Sequence, residues 1–384
     1  MPSSTPPRLT ERTGEPSLLT LFLCGDVMTG RGIDQILPHP VNPRLFESYV
    51  RSAKEYVALA EEASGPIDRP VEFTYVWGDA LRELERLRPH ARIVNLETAV
   101  TTSEAAWPAK GVHYRMHPAN VPCLSALPVD CCVLANNHVM DWGAEGLLET
   151  ISALSTAGIR TTGAGRNAAA AAAPAAIETA AGKSVQVYAF GLESSGVPPA
   201  WRATAQRPGV NVLEDLSDHS VDIVARAIQT HRRDDEIVVV SLHWGPNWGF
   251  DIAADERRFA RSLLDRAGAD LIYGHSSHHV KGIEVHRDKL ILYGCGDFLN
   301  DYEGIGGYEA YRGDLSLMYF PALDARNGRL RELVMTPTCT RRFQVNRAEP
   351  EQADWLYATL NREGKNLGTA VERHADGTLR LSWT

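Results

Sequence analysis

The sequence carries no excess of basic residues. Its 39 Lys and Arg stand against 48 Asp and Glu, a formal net charge of −9. That argues against the basic stripe of a dedicated nucleic-acid binder. It leaves room for a small anionic ligand, because a local cation overrules global charge. No stretch approaches the ~20 apolar residues that span a bilayer, and Met1–Pro16 lacks the apolar centre of a secretory signal. No membrane partner and a cytoplasmic location are therefore expected. The cysteines Cys24, Cys123, Cys131, Cys132, Cys295 and Cys339 show no CxxC spacing. Cys24, Cys131, Cys132 and Cys295 sit in apolar runs, so buried reduced thiols are expected rather than disulfides or redox centres. No internal repeat is visible, and Ala168–Ala173 reads as a plain surface helix.

What is present is an alternation. Short apolar runs, Leu18–Cys24, Ala91–Val94, Cys131–Leu134, Val185–Phe190, Ile237–Leu242, Leu271–Tyr273 and Leu290–Tyr293, have the length and β-branched content of buried strands. Helical patterns lie between them, at Ala80–Leu87, Gly143–Ala157, Ser217–His231 and Asp255–Ala267. Strands alternating with helices predict an α/β fold. Residues 1–17 read as a disordered arm and 18–345 as one main domain. Within it, 39–76, with an amphipathic stretch Arg44–Ala63, reads as an insertion and candidate lid. Residues 346–384 read as an appendage of one helix, Glu349–Arg362, and a small hairpin around Asp376-Gly377.

The polar residues at the strand ends carry the chemical signal. Cys24-Gly25-Asp26, Asn95-Leu96-Glu97, Asn136-Asn137-His138, His243-Trp244-Gly245, Gly274-His275 with Ser276-Ser277-His278-His279, and Gly296-Asp297 all follow apolar runs. In open α/β sheets, ligands gather at the carboxyl ends of strands. A lone Asp there is more often a helix cap, and a lone His a satisfied core residue. The whole set would be costly to bury without a cation. Imidazole, carboxylate and amide oxygen together are the ligand mix of Zn, Mn or Fe. Asp141 follows His138 by three residues, which suits a carboxylate fixing a histidine tautomer for acid–base work.

In this order, Gly25-Asp26-Val27-Met28-Thr29-Gly30-Arg31, Asn95-Leu96-Glu97, Asn136-Asn137-His138 with Asp141, His243-Trp244-Gly245 and Gly274-His275 with His278 resemble the CapA family. That family is named for poly-γ-glutamate capsule synthesis and belongs to the calcineurin-like metallophosphoesterase superfamily. The resemblance covers about residues 18 to 345. It implies a four-layer α/β/β/α metallophosphatase-like sandwich with a centre of one or two divalent transition metal ions. It implies Asp26, Glu97, Asn137, His243, His275 and His278 as ligands, with His138 as general acid oriented by Asp141. Met28 stands where the superfamily has a ligand histidine, and Gly-His-x-His is replaced by His-Ser-Ser-His-His, in which His278 is preferred to His279.

Candidate substrate contacts are Arg31, Lys110, His113, Arg115 and Arg312, because cationic side chains suit carboxylate or phosphate. Surface ion pairing explains each of them equally well. Trp244, Trp248 and Phe250 are candidate pocket walls or core residues. The implied function is a metal-dependent hydrolase of a γ-glutamyl amide, a related peptide-like polymer or a phosphoester. The alternatives are a non-catalytic accessory or binding protein of polymer synthesis and a biosynthetic amide-forming enzyme. The motifs do not choose the substrate, the number of ions or the oligomeric state.

Overall fold

The computed structural model describes residues 18–233 and 236–384; the arm expected at 1–17 lies outside them. The first apolar run becomes the strand Leu18–Val27, buried along nearly its whole length, as befits a strand covered on both faces. On one side it pairs in parallel with Ala91–Leu96, followed by Cys131–Val133 and Arg160–Thr162. On the other it pairs antiparallel with Leu315–Asp324, followed by Leu330–Arg341.

A second sheet has Ser184–Gly191, Ile237–His243, Leu271–His275 and Lys289–Leu292 as its parallel centre. Antiparallel strands Ala175–Glu178 and Ile283–His286 form its edges. Alternation along Ile237–His243 shows what each face covers. Ile237 and Val239 join the core that also holds Leu21, Leu23 and Ile93 of the first sheet. Val238, Val240 and Leu242 pack instead with Val221, Val224, Ile228 and Phe259, from the helices Asp218–His231 and Ala254–Ser262. Helices Asp79–Leu87 and Gly143–Thr156 place Leu84, Leu147 and Leu154 in the first core. The Tyr273 hydroxyl donates to the Cys24 carbonyl at 2.5 Å, tying one sheet to the other. The protein is thus a mixed α/β structure, as the alternation predicts.

Some elements differ from the sequence reading. The amphipathic stretch at 44–63 is helical only over Ala53–Ser64, because Ser52 and Glu55 form a capping box that starts the helix there. Arg44 bridges back to Ser52 instead. The long strands Leu315–Asp324 and Leu330–Arg341 do not stand out in the sequence, because Pro321 and Pro337 interrupt their patterns. After Arg347 come the helix Pro350–Gly364 and the hairpin Thr369–Arg373 with Leu379–Trp383. The hairpin pairs Val334 with Arg380 and Met335 with Leu379, so it extends the first sheet. Among the described residues, no helix is long and apolar enough to cross a membrane.

Candidate metal centre

Parallel pairing brings the polar strand ends together. Asp26 lies in register with Asn95 and Asp297, and His243 with His275. One ligand atom each from Asp26, Glu97 and His243 falls within 4.8 Å of the others, all three side chains being buried. His275 Nδ1 sits 2.9 Å from Asp26 Oδ1, which also accepts from Asn95 Nδ2 at 2.7 Å. Asn95 in turn accepts from Asn136 Nδ2 at 3.0 Å.

The two carboxylates are pushed apart electrostatically. For Asp26, burial opposes the charge, but the hydrogen bond and charge of His275, helped by His243, hold it well below the usual carboxylate range. For Glu97, burial and the neighbouring charges of Asp26 and Asp297 push the carboxyl well above it. Like charges in one buried site behave this way. Burial also holds His243 down at about 3.

Several ligand-type atoms are left over. Among the described residues, His243 Nδ1 and Nε2, His275 Nε2 and Asn137 Oδ1 are buried without a hydrogen-bond partner. Each such atom costs on the order of 1–3 kcal/mol, and a bound cation would offset that cost. Two imidazoles, two carboxylates and an amide oxygen fit a borderline divalent metal.

His278 is differently placed. Its Nδ1 lies 2.9 and 3.1 Å from the Asp297 oxygens, and its Nε2 3.1 Å from Asn247 Nδ2. Burial works against its charge, but Asp297 raises it above its ordinary value. His279 stacks on Trp248 and meets Phe250 edge-on.

On the other flank, His138 Nδ1 is 2.7 Å from Asp141 Oδ2, and its Nε2 lies 3.9 Å from Glu97. Lys110 donates to Asp141 and to the Asn137 carbonyl, with His138 Nδ1 3.0 Å away. Burial and Lys110 hold His138 at about 4, against the pull of Asp141.

A match to the bacterial capsule synthesis protein family PGA_cap spans residues 20–302. The chain belongs to the PGA_cap family. It is 44% identical over 369 residues to a probable polyglutamine synthesis accessory protein of Mycobacterium tuberculosis, covering 96% of this chain and 97% of that one. It is 25% identical to the PGA biosynthesis protein CapA of Bacillus subtilis, over 76% of this chain and 65% of that one. The capsule biosynthesis protein CapA of Bacillus anthracis is 26% identical, over 75% and 61%.

In this PGA_cap member the four Lys and Arg candidates for substrate contact occupy different settings. Lys110 stands at the centre itself. Arg31 is buried, held by Asp301, Glu47 and Tyr56 and stacked over Tyr56 and Tyr114. Arg115 lies 3.9 Å over the Trp142 ring and donates to the Ser103 and Asn42 carbonyls, outside the main cavity. Arg312 is paired with Asp314 through two bonds of 2.7 Å. A cavity of about 570 Å³ opens beside His278, with Arg31, Asn247, Asn300, Tyr302 and Arg312 on its wall. Tyr49, Tyr56 and Ser64 of the insertion form another side. Met28 is buried, its amide bonded to the Leu299 carbonyl.

Sequence reasoning passed over Asn95 and Asn247. Asn95 reads in the sequence only as a flank of Glu97, although two residues along a strand share one face. Nothing local marks Asn247.

Proposed function

We propose that this PGA_cap member is a metal-dependent hydrolase of a γ-glutamyl amide, a related peptide-like bond or a phosphoester. In this reading the sheets and their helices form the four-layer α/β/β/α sandwich of the metallophosphatase type. The observation that carries it is the set of unpartnered, buried ligand atoms on His243, His275 and Asn137 beside Asp26 and Glu97. One or two ions of Mn, Fe or Zn would be held by these five residues, with His278 on the Asp297 side. A divalent ion bound there supplies Lewis acidity and a water that yields hydroxide near neutral pH.

The chain's own part is orientation and proton transfer. Asp141 accepts the Nδ1 proton of His138 and so leaves Nε2 bare on the side of Glu97. At about 4, His138 is neutral at pH 7. It therefore takes a proton from the attacking water at Nε2 and then delivers that proton, as general acid, to the leaving nitrogen or oxygen. Asn95 and Asn136 hold Asp26 in place meanwhile. The substrate is an anionic small molecule or a γ-glutamyl chain, and the work is cytoplasmic, with no nucleic-acid or membrane partner.

A second reading, a non-catalytic accessory protein, is favoured by the name that the Mycobacterium tuberculosis relative carries. Elemental analysis of the purified protein, followed by assays with aryl phosphates, phosphodiesters and γ-glutamyl peptides, separates the two. The hydrolase retains a transition metal and turns over one of these classes. Absence of metal, with no activation by added Mn, Fe, Co or Zn, would leave the accessory role.

A further inference from the structure

The segment 101–114, between the strands Ala99–Val100 and Arg115–Met116, contains no helix or strand of its own. It is nonetheless organised around one aspartate. The Trp107 amide donates to the Asp141 carbonyl at 2.7 Å, and the Tyr114 amide donates to Asp141 Oδ2 at 2.6 Å. Lys110 donates to Oδ1 of the same carboxylate. The Trp142 indole donates to the Tyr114 carbonyl at 3.0 Å, closing the segment onto the residue after Asp141. Ala109 takes a left-handed φ of 58°, and Lys110 follows it directly. The ammonium lies 5.3 Å from the Trp201 ring, which meets Trp107 edge-on.

The Lys110 side chain is only 16% exposed. Of the three N–H groups of its ammonium, one goes to Asp141 Oδ1 and another to the Asn137 carbonyl. Asn137 precedes His138 and Asp141 follows it, so one ammonium ties together the two sides of His138. An aspartate carboxylate turns broadly about its last torsion when nothing pins it. Here Lys110 holds Oδ1 and the Tyr114 amide holds Oδ2. That leaves the orientation in which Oδ2 stands 2.7 Å from His138 Nδ1. The Tyr114 ring packs edge-on against the imidazole at 4.6 Å. Bonds from an ammonium to a carboxylate are among the stronger ones available.

We propose that Lys110 is a positioning residue rather than a substrate contact, fixing the His138 ring for proton transfer by clamping Asp141 to the Asn137 carbonyl. This rests on the hydrolase reading and deepens it. Lys110 differs in this from a cation kept for an anionic ligand, because its donors are already turned to the protein. The same clamp sets the backbone of Asn137, whose Oδ1 is the unpartnered amide oxygen of the centre.

The test reads His138 directly. Zn, a diamagnetic ion, is added to protein carrying 15N-labelled histidine, and the His138 Nδ1 proton is followed by NMR. Its assignment comes from its absence in His138→Gln. In the wild type the proton exchanges slowly, because Asp141 is pinned against it. In Lys110→Met the signal is lost to exchange, and turnover falls about 10–100-fold at unchanged KM, the range for losing a group that orients a site residue. Lys110→Cys behaves like Lys110→Met until 2-bromoethylamine restores an ammonium at nearly the same reach. The six native cysteines are buried and stay out of that reaction. Recovery of both the proton signal and turnover is expected after aminoethylation. A slowly exchanging proton in Lys110→Met overturns the proposal. So does a raised KM at unchanged kcat, the mark of a substrate contact. So does a loss that accompanies a lowered melting temperature and is not rescued, the mark of a purely structural role. Failure of the hydrolase reading shows separately: no form turns over any substrate, while the Lys110-dependent protection of the His138 proton and its recovery persist.

Discussion

Asn95 has no acid–base chemistry of its own, yet its amide joins Asp26 to Asn136 across neighbouring strands. Replacing it with Leu removes a donor from a buried carboxylate and an acceptor from a buried amide. We expect Asn95→Leu to cost about 1–3 kcal/mol and to weaken metal binding about 10–100-fold, read by denaturant unfolding and metal titration. Unchanged metal affinity would take Asn95 out of the centre. His243 tests the ligand shell more directly, because among the described residues neither ring nitrogen has a hydrogen-bond partner, Nε2 lying 3.8 Å from Glu97 Oε1. His243→Ala should lose metal and turnover while folding normally, since it removes two unsatisfied atoms rather than a hydrogen bond. A variant that kept full metal content would contradict the ligand assignment. Asp26, Glu97 and His243 were legible in the sequence because each closes an apolar run. Asn247 was not, because its partner His278 lies 31 residues away and only the folded chain brings them together.

Among the elements, the glycines before the ligands set the geometry. Gly25 precedes Asp26, and a methyl group there would collide with the Gly296 carbonyl, next to Asp297. Gly274 precedes His275 and meets the carbonyls of Leu292 and Tyr293 in the same way. Backbone stands against backbone at both places, so no side-chain rotation relieves the clash. Gly25→Ala should therefore separate the strands bearing Asp26 and Asp297. We expect a loss of at least about 2 kcal/mol together with metal binding, checked by thermal melting and elemental analysis. A stable Gly25→Ala protein with full metal would show that the strand ends tolerate separation. The parallel strands were readable because they are short, apolar on both faces and punctuated by such glycines. The antiparallel half was not, since the adjacent charges Arg331 and Glu332 break the alternation at the start of Leu330–Arg341, and Pro337 interrupts it later.

For the molecule as a whole, burial of neutral histidines predicts acid lability. His243 is held at about 3, and His138 and His279 at about 4, in each case chiefly by burial. Their unfolded value is about 6.5. Between pH 6.5 and 4 the unfolded chain takes up protons that the folded chain refuses, so stability falls as pH falls. Each histidine costs about 2 kcal/mol at pH 5. Asp34, pushed up to about 6 by burial, works in the opposite sense, as do Glu97 and His278, both raised, and together they offset part of this. The melting temperature of metal-free protein should therefore drop between pH 7 and 5; a flat or rising profile would contradict the burial of neutral imidazoles. Removing residues 349–384 should be more damaging still. Leu356, Leu360, Val371 and Leu379 leave the core, and Met335 loses its pairing with Leu379. We expect that truncation to be insoluble, and a soluble, cooperatively melting product would contradict it.

The cysteines offer a different handle. All six are free and buried, and an alkylating reagent meets a thiol only where the surrounding structure has opened. Cys339 borders the cavity, whereas Cys24 and Cys295 lie in the core beside Tyr273. Mass-resolved capping over time would thus work as a stopwatch, with Cys339 recording local breathing of the cavity wall and Cys24 the parting of the two sheets.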